Sequence, residues 1–340
     1  MTYASHFRLL TCAVVASLAG CGQQLTAGGL TTENAWQTLH TGPWTSPDAS
    51  KVRKLLYVSS QYSNDVYVYD YDKGRLLEKL SGFSAPYGQC VDAKGDVWIT
   101  NYSGSSVVEY AHGGTTPLKT LQTHGNSVGC SVAPSGDLAV ANFGVDPKGQ
   151  GALLIFKKAS GKPKQYISTT CFNMWPPGYA ESGNLYVEGY SEPGGEYVCE
   201  LPAGGNALRT VKYSAYGYWP GAVMWDGKYI TLTEQVSSSN ESQTDIYQES
   251  EDASGNLTQV GKTVLSDDCF RDEVGVVQPF IVGEKNTPEN SQQGTSVVGG
   301  NDQCNYRFDY WAYPAGGLPT STLKSSPLQP YGQSVSIAPR

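Results

Sequence analysis

The chain has 340 residues, of which 16% are charged, and a formal net charge of −8. An acidic chain without a Lys/Arg cluster argues against binding nucleic acid or an anionic membrane surface through charge. No phosphate loop, dinucleotide fingerprint or Gly-x-Ser-x-Gly elbow stands in a strand-to-helix context, so the matching enzyme classes are disfavoured. The length fits two ordinary domains or one closed all-β unit.

Residues 1–20 are predicted to form a signal peptide. Arg8 precedes an apolar run, 9–19, that is too short to span a bilayer as a helix. The run ends in Leu18-Ala19-Gly20-Cys21, which resembles the lipobox of bacterial lipoproteins. The resemblance implies cleavage before Cys21, lipidation of that residue and a membrane as partner, and Gly22 in place of Asp implies the outer membrane. The alternative is an ordinary secretory signal in which Cys21 is incidental.

Residues 21–53 follow as a predicted flexible tether, because they are rich in Gly, Thr, Ser and Gln and lack periodicity. From residue 54 to 340, a strand-like module then recurs at a period of roughly 40–50 residues. Pro86-Tyr87-Gly88-Gln89 returns near the end of the chain as Pro330-Tyr331-Gly332-Gln333. Each module has four strand-like runs, joined by turns such as Ala93-Lys94-Gly95-Asp96.

The first module alone lacks its first strand, and residues 330–338 supply the missing copy. The sequence therefore predicts an all-β fold over residues 54–340: a six-bladed β-propeller of four-stranded antiparallel blades, with the last strand closing the first blade. In the sixth module, Phe280-Ile281-Val282 is interpreted as the second strand. Residues 283–306 then form a long loop, either a neutral insertion or a lid over the channel mouth.

The amino-acid sequence of the modules resembles the NHL and YVTN groups of extracytoplasmic propeller repeats, in the TolB-like propeller superfamily. The matching phrases are Pro86-Tyr87-Gly88 before a strand, the turn and strand at 92–101, and Tyr57-Val58-Ser59-Ser60 with Asp65–Asp70. The resemblance covers about residues 54–340. It implies the fold and leaves the function open, since these groups include binding scaffolds, lyases and lactonases.

Export would place the remaining six cysteines in an oxidising compartment. They could pair in several ways, and none has zinc-like spacing. We expect a Cys269–Cys304 bridge, because both residues lie in loops on one face near the sixth module. Cys171 with Cys199, in one module, and Cys90 with Cys130, on neighbouring inner strands, are the other candidate pairs.

A ligand-binding rim is predicted where the first strands begin, because aromatic rings stack on apolar or sugar faces. The predicted rim residues are Tyr87, Trp175, Tyr218, Trp219 and Tyr331. Packing between blades would account equally well for these aromatics. The expected partner is an unidentified small molecule, a glycan or an envelope protein.

Two weaker features suggest chemistry at the same face. His124 stands in a channel-facing loop and could act as a general acid or base, as histidine does in virginiamycin B lyase, or be an ordinary exposed histidine. Asp268, Asp272 and Glu273 form the densest acidic group near the predicted mouth. With Asn101, Asn142, Glu188 and Glu234 at second-strand ends, they could offer oxygen ligands to Ca²⁺ or Mg²⁺, or be solvated loop charge.

The sequence therefore favours a lipid-anchored binding or scaffold module of the cell envelope. No cofactor is predicted beyond this candidate divalent cation. The alternative is a metal- or histidine-assisted lyase or lactonase with its site at the channel mouth. Gluconolactonase-like propellers hold their ion with a Glu early in the first strand, where this chain has Ser84-Ala85-Pro86-Tyr87. That departure and the scarcity of histidine disfavour the alternative.

Overall fold

The structure, a computed structural model, describes residues 44–144, 150–191, 195–213, 219–237, 242–266, 278–283, 293–301, 307–323 and 330–339. Over these ranges the chain forms six antiparallel sheets and two short 3-10 helices, Ala49–Lys51 and Lys157–Ala159. None of the helices in these ranges is long and apolar enough to cross a membrane. The predicted all-β six-bladed propeller is confirmed.

The strands are numbered in chain order. Blade 1 contains β1 (Trp44–Thr45), β2 (Lys54–Ser60), β3 (Asp65–Asp70) and β4 (Leu76–Leu80). Blade 2 contains β5 (Pro86–Val91), β6 (Val97–Asn101), β7 (Ser106–Tyr110) and β8 (Pro117–Gln122). Blade 3 contains β9 (Asn126–Val132), β10 (Leu138–Phe143), β11 (Ala152–Phe156) and β12 (Lys164–Tyr166). Blade 4 contains β13 (Asn173–Met174), β14 (Gly178–Tyr179), β15 (Leu185–Ser191), β16 (Gly195–Leu201) and β17 (Arg209–Val211). Blade 5 contains β18 (Trp219–Trp225), β19 (Ile230–Ser237), β20 (Ser242–Glu251) and β21 (Leu257–Leu265). Blade 6 contains β22 (Phe280–Val282), β23 (Ser296–Asn301), β24 (Arg307–Ala312) and β25 (Ser321–Leu323). The last strand, β26 (Pro330–Ile337), returns to blade 1.

The ring closes as the sequence predicts. Strand β26 pairs antiparallel with β2, so that Ser336 lies opposite Leu55 and Ser334 opposite Tyr57. The order in this sheet is β1-β4-β3-β2-β26. Residues 330–337 thus supply the inner strand of the first blade, and the inner edge of β2 is paired.

Ordered structure begins earlier than the predicted tether boundary at residue 53. Within the described part of that segment, Trp44 pairs with Lys79 at the outer edge of blade 1, and the Thr45 hydroxyl donates a 2.6 Å hydrogen bond to Glu78. Ala49 is buried. A two-residue strand is too short to show periodicity, which is why the sequence does not reveal it.

The sixth blade corrects one strand assignment. Phe280–Val282 is the first, inner strand of this blade, and the second strand is Ser296–Asn301, inside the segment expected to be one long loop. The second strand contains Gly299 and Gly300, which weaken a strand signal in the sequence. A Cβ on Gly300 would lie 2.6 Å from the Pro330 side chain, so the close approach of β26 requires glycine.

The core lies between neighbouring blades. Because each sheet is covered on both faces, strands such as β6 and β11 are buried at every position rather than at alternate ones. The largest fully buried side chains are Trp98, Trp311, Tyr57, Tyr69 and Tyr186. Aromatic residues therefore fill the wedge between blades over much of the ring.

The repeated Pro-Tyr-Gly-Gln phrase joins adjacent inner strands. A Cβ on Gly332 would lie 2.3 Å from the Tyr87 carbonyl oxygen, and one on Gly88 would lie 2.3 Å from the Val128 carbonyl oxygen. Only glycine permits such an approach. Buried Gln89 then donates to the Ser59 hydroxyl and accepts from the Ser334 hydroxyl, each at 2.8 Å.

Two of the candidate disulfides are present. Cys90–Cys130 joins the inner strands β5 and β9 with a Cα–Cα distance of 5.5 Å. Cys171–Cys199 fastens the start of blade 4 to β16 with a Cα–Cα distance of 6.3 Å. The expected Cys269–Cys304 bridge lies outside the described residues and stays a prediction.

Candidate functional site

One face of the propeller carries most of the predicted site residues. Antiparallel pairing places the start of each inner strand beside the end of the second strand, as in the pairs Pro86 with Asn101 and Asn126 with Phe143. We call this surface the aromatic face. It is defined by Tyr87, Tyr102, Phe143, Trp175, Tyr190, Trp219 and Tyr331.

Three tyrosines meet where β5 and β26 begin. The ring centroid of Tyr87 lies 5.0 Å from that of Tyr331 and 5.7 Å from that of Tyr102. Tyr87 is only 8% exposed, and burial, followed by the neighbouring Tyr331, raises the pKa of its hydroxyl. Tyr87 is therefore mainly a packing residue, whereas the half-buried Tyr331 and Tyr102 retain accessible surface.

The other predicted aromatics form two separate pairs. Trp175 contacts Phe143 edge-on, with ring centroids 5.5 Å apart, and Trp219 lies 6.1 Å from Tyr190. Trp219 is 46% exposed. The structure thus brings Tyr87 and Tyr331 together but leaves Trp175 and Trp219 in other blades. Tyr218 lies outside the described residues.

Sequence reasoning missed the partners of these rings, although a signal for them exists. Tyr102 and Phe143 each directly follow an asparagine at or next to the end of a second strand, and Tyr190 comes two residues after Glu188. The two asparagines are structural. Asn101 accepts a 2.6 Å hydrogen bond from the Ser84 amide, and Asn142 donates a 2.9 Å bond to the Thr123 carbonyl. Each one fixes the segment that leads into the inner strand of its own blade.

The equivalent positions in blades 4 and 5 carry Glu188 and Glu234, which are 2% and 1% exposed. The carboxyl group of Glu234 lies beside those of both Glu188 and Glu196. Burial is the largest cause that raises the pKa of Glu188 and of Glu234; repulsion by Glu196 adds to it for Glu188, and repulsion by Glu188 and Glu196 adds to it for Glu234. We call Glu188, Glu196 and Glu234 the acidic group. Glu196 was not predicted, because it begins the third strand rather than ending a second one.

A second set of acids lies at the opposite face. Carboxylate atoms of Asp92, Asp96 and Glu109 lie within 4.8 Å of one another. Asp92 accepts hydrogen bonds from the backbone amides of Lys94 and Asp96, and the Lys119 ammonium is 3.5 Å from Glu109. Asp92 therefore stabilises a turn and Glu109 forms an ion pair, so both carboxylates have a structural role.

The predicted loop sites receive no geometric support. His124 is in the left-handed backbone region (φ 54°), and no described residue makes a hydrogen bond with its side chain. Its role as acid or base stays a prediction. Asp268, Asp272 and Glu273, the predicted metal ligands, lie outside the described residues.

The other described histidine is structural. The His112 ring nitrogens lie 2.7 Å from the Ser336 hydroxyl and 2.7 Å from the Val52 carbonyl oxygen. Burial lowers the pKa of the ring. His112 thereby links blade 2 to the closing strand and to the N-terminal segment.

The channel holds a cavity of about 110 Å³ in the half away from the aromatic face. Its lining includes the ends of inner strands at Val91, Val132, Trp225, Val282 and Ile337. The lining is mainly apolar. This cavity is therefore distinct from the predicted site on the aromatic face.

No family model and no curated protein sequence matches the chain. Solved structures similar to it include a protein of unknown function from Bacteroides caccae, with 12% identity, 84% of this chain and 99% of that chain covered, and a TM-score of 0.59. A nidogen/laminin complex matches with 11% identity, 84% and 99% coverage and a TM-score of 0.59. Kuenenia stuttgartiensis hydrazine synthase matches with 14% identity, 86% and 80% coverage and a TM-score of 0.56. At these identities the similarity shows the fold alone.

Proposed function

We propose that this chain is an exported propeller of the NHL/YVTN type, held at the cell envelope by lipid on Cys21, that binds glycans on its aromatic face. The propeller fold is consistent with a binding or scaffold module. The observation that carries the proposal is the placement of the tyrosine group and the two ring pairs on one face, with Trp219 almost half exposed.

The chemistry of this face favours a ring-bearing ligand. A half-exposed indole keeps apolar surface in water, and stacking on the apolar face of a sugar removes that surface at small entropy cost. Each ring is supported by an aromatic neighbour, which limits its rotamers before a ligand binds. The net charge of −8 opposes anionic ligands, so neutral glycans fit better than acidic ones.

Export is supported independently of the ligand. Two disulfide bridges are typical of a protein that matures in an oxidising compartment. The lipobox-like Leu18-Ala19-Gly20-Cys21 adds the anchor. The outer membrane follows from the resemblance of Cys21-Gly22 to lipoproteins without a retention signal.

The test is glycan binding by the mature chain carrying Cys21→Ser, which removes the lipid. A panel of neutral and acidic glycans is screened, and hits are measured by calorimetry. We expect Trp219→Ala to weaken binding about 5- to 100-fold, if stacking on this ring is comparable with base stacking on an aromatic side chain, which contributes roughly 1–3 kcal/mol. Leu118→Ala is the control, because Leu118 is exposed to a similar degree, at 56% against 46% for Trp219, on outer strand β8. A hit that is unaffected by Trp219→Ala would place the site elsewhere.

The lyase or lactonase alternative is not proposed. Its candidate acid or base, His124, stays a prediction, and its candidate metal ligands lie outside the described residues. Aromatic stacking is the better-supported chemistry of this face.

A further inference from the structure

We propose that the cavity on the axis of the ring binds a small neutral ligand of the phenol class, with an apolar body and one hydroxyl group. The proposal does not depend on glycan binding, because the cavity lies in the half of the channel away from the aromatic face. The cavity has a volume of about 110 Å³, and the inner strands of all six blades contribute to its lining. It is therefore a feature of the closed ring rather than a gap between two blades.

The walls of the cavity are apolar at most positions. Val132, Trp225 and Phe280 belong to the lining and are only half-buried, so each keeps apolar surface that a ligand can cover. The Cys90–Cys130 disulfide forms another part of the wall. Pockets that bind small molecules have this character: mainly apolar and aromatic walls, with a few polar groups that fix the orientation of the ligand.

The charge of the lining favours a neutral ligand. Asp226 is the charged side chain among the described lining residues. Its carboxylate accepts hydrogen bonds from the backbone amides of Lys228 and Tyr229, at 2.8 and 2.7 Å. It also accepts from the Tyr313 hydroxyl at 2.6 Å and from the Gln293 amide at 2.8 Å. A carboxylate with four donors has no need of a cationic ligand, and an anionic ligand would meet its negative charge.

A polar atom of the lining provides the specific contact. Gln278 lines the cavity and is 4% exposed, and its Nε2 donates a 3.3 Å hydrogen bond to the Gln89 carbonyl. Because a carbonyl oxygen only accepts, this contact fixes the orientation of the Gln278 amide. The Oε1 atom is then buried without a hydrogen-bond partner among the described residues. An unpaired buried acceptor costs free energy, which a ligand that donates to it would restore.

Trp225 carries a second unpaired group. Its indole Nε1, which can only donate, is also buried without a partner in the described part of the chain. A hydroxyl group both donates and accepts, so it is the smallest group that can pair with either atom. Water is held less well here, because a buried water needs two to four polar partners and the apolar walls do not supply them. An apolar ligand body therefore displaces such water at little cost.

The volume limits the ligand to about one ring. A protein cavity of roughly 150 Å³ with apolar walls holds benzene, and this cavity is somewhat smaller. Gly227 and Gly283 of the lining come just after the inner strands β18 and β22, so the cavity reaches the face from which a ligand can enter. Phenol, a single ring with one hydroxyl group, is therefore the probe.

The experiment titrates phenol and benzene separately into the mature Cys21→Ser chain and measures the dissociation constants by NMR. We expect saturable binding of phenol, about 2- to 12-fold tighter than that of benzene, which corresponds to one net hydrogen bond. Benzoate, which is charged, should not bind. Gln278→Leu removes the acceptor and should abolish the preference for phenol over benzene. Val132→Phe fills the cavity and should weaken the binding of both by about fivefold or more.

Leu118→Phe is the matched control for Val132→Phe, because it adds a ring on the exposed outer strand β8 and should leave both affinities unchanged. The comparison of phenol with benzene needs no cavity variant, so a variant that folds poorly leaves the proposal testable. Absence of saturable phenol binding would overturn the proposal, and equal affinity for phenol and benzene would overturn the role of Gln278. Phenol binding that is unchanged in Val132→Phe would place the site elsewhere and would also overturn the proposal.

Discussion

The rings of Tyr87 and Tyr331 lie 5.0 Å apart, although they stand near opposite ends of the propeller sequence. Each is the tyrosine of a Pro-Tyr-Gly-Gln phrase at the start of an inner strand. The two copies of this motif therefore meet where the ring closes: their tyrosine rings pack together, and Gly332 packs against Tyr87 and Gly88.

Closure can be tested by removing β26. Deleting residues 330–340 should expose the inner edge of β2 and give an aggregating product with a lower Tm, because an unpaired strand edge is a template for pairing with other chains. Size-exclusion chromatography and thermal melting measure both effects. Deleting only Pro339 and Arg340, which follow β26, is the control and should change neither. A soluble 330–340 deletion with the original Tm would contradict the closure.

The glycine contact gives a sharper test of the same junction. Gly332→Ala should lower the free energy of unfolding by about 1–3 kcal/mol or more, because its Cβ would lie 2.3 Å from the Tyr87 carbonyl oxygen. Gly114→Ala is the control: its Cβ would lie 3.3 Å from its nearest neighbours. Denaturant unfolding measures both. Equal losses in the two variants would show that the inner strands can separate without cost.

The Cys90–Cys130 bridge should contribute strongly to stability. It spans 40 residues of sequence, for which the chain-entropy model gives about 4 kcal/mol. Cys90→Ala with Cys130→Ala should lower the free energy of unfolding by about 2–4 kcal/mol in denaturant titrations. A loss well below about 1 kcal/mol would mean that packing between β5 and β9 holds these strands without the bridge.

The acidic group should make stability depend on pH in a definite direction. The folded-state pKa values of Glu188 and Glu234 are raised above the unfolded value of about 4.3, so their contribution is fully present below that pH and is lost as pH rises through the raised values. Tm should therefore fall between about pH 5 and pH 8, and less so in Glu234→Gln.

His112 titrates in the opposite sense and must be separated from this effect. Because its pKa is lowered, His112 contributes to the stability of the fold above about pH 6.5, and this contribution is lost as pH falls. The difference in Tm between the unmutated chain and Glu234→Gln cancels the His112 contribution. A difference that stays constant with pH would rule out the titration assigned to the acidic group.

The lipid anchor is tested through Cys21. Cys21→Ser should move the protein from the membrane fraction to the soluble fraction, because a single cysteine would carry the anchor in a lipoprotein. Fractionation of cells that express each form, with the leader shown to be cleaved, gives the answer. Membrane association that persists in Cys21→Ser would show that Cys21 is not the anchor.

The sequence is informative about the fold because the inner and middle strands are buried on both faces and the turns recur. It fails where the local signal is short or interrupted. The inner strand of blade 4 is split into β13 and β14 around Pro176 and Pro177, which lack the amide that a ladder needs. In blade 6, the glycines of β23 conceal a strand in what reads as a loop.

The site is less readable than the fold. Tyr87, Trp175, Trp219 and Tyr331 could be identified as rim aromatics, since position within the module decides which face a residue occupies. Their pairings could not, because each partner comes from another strand or another blade. Glu196 lies near Glu188 on the neighbouring strand of the same blade, and Glu234 reaches them only through the contact of two blades, which no spacing in the sequence reports.

Because β26 pairs with β2 in blade 1, the ring can close only late in the synthesis of the propeller. A chain synthesised from its N-terminus presents β2 first, and that strand waits for its inner neighbour until Pro330–Ile337 has emerged. Pairing over nearly the whole length of the chain is slow to form. Any product that stops before β26 would leave the inner edge of β2 unpaired and the ring open.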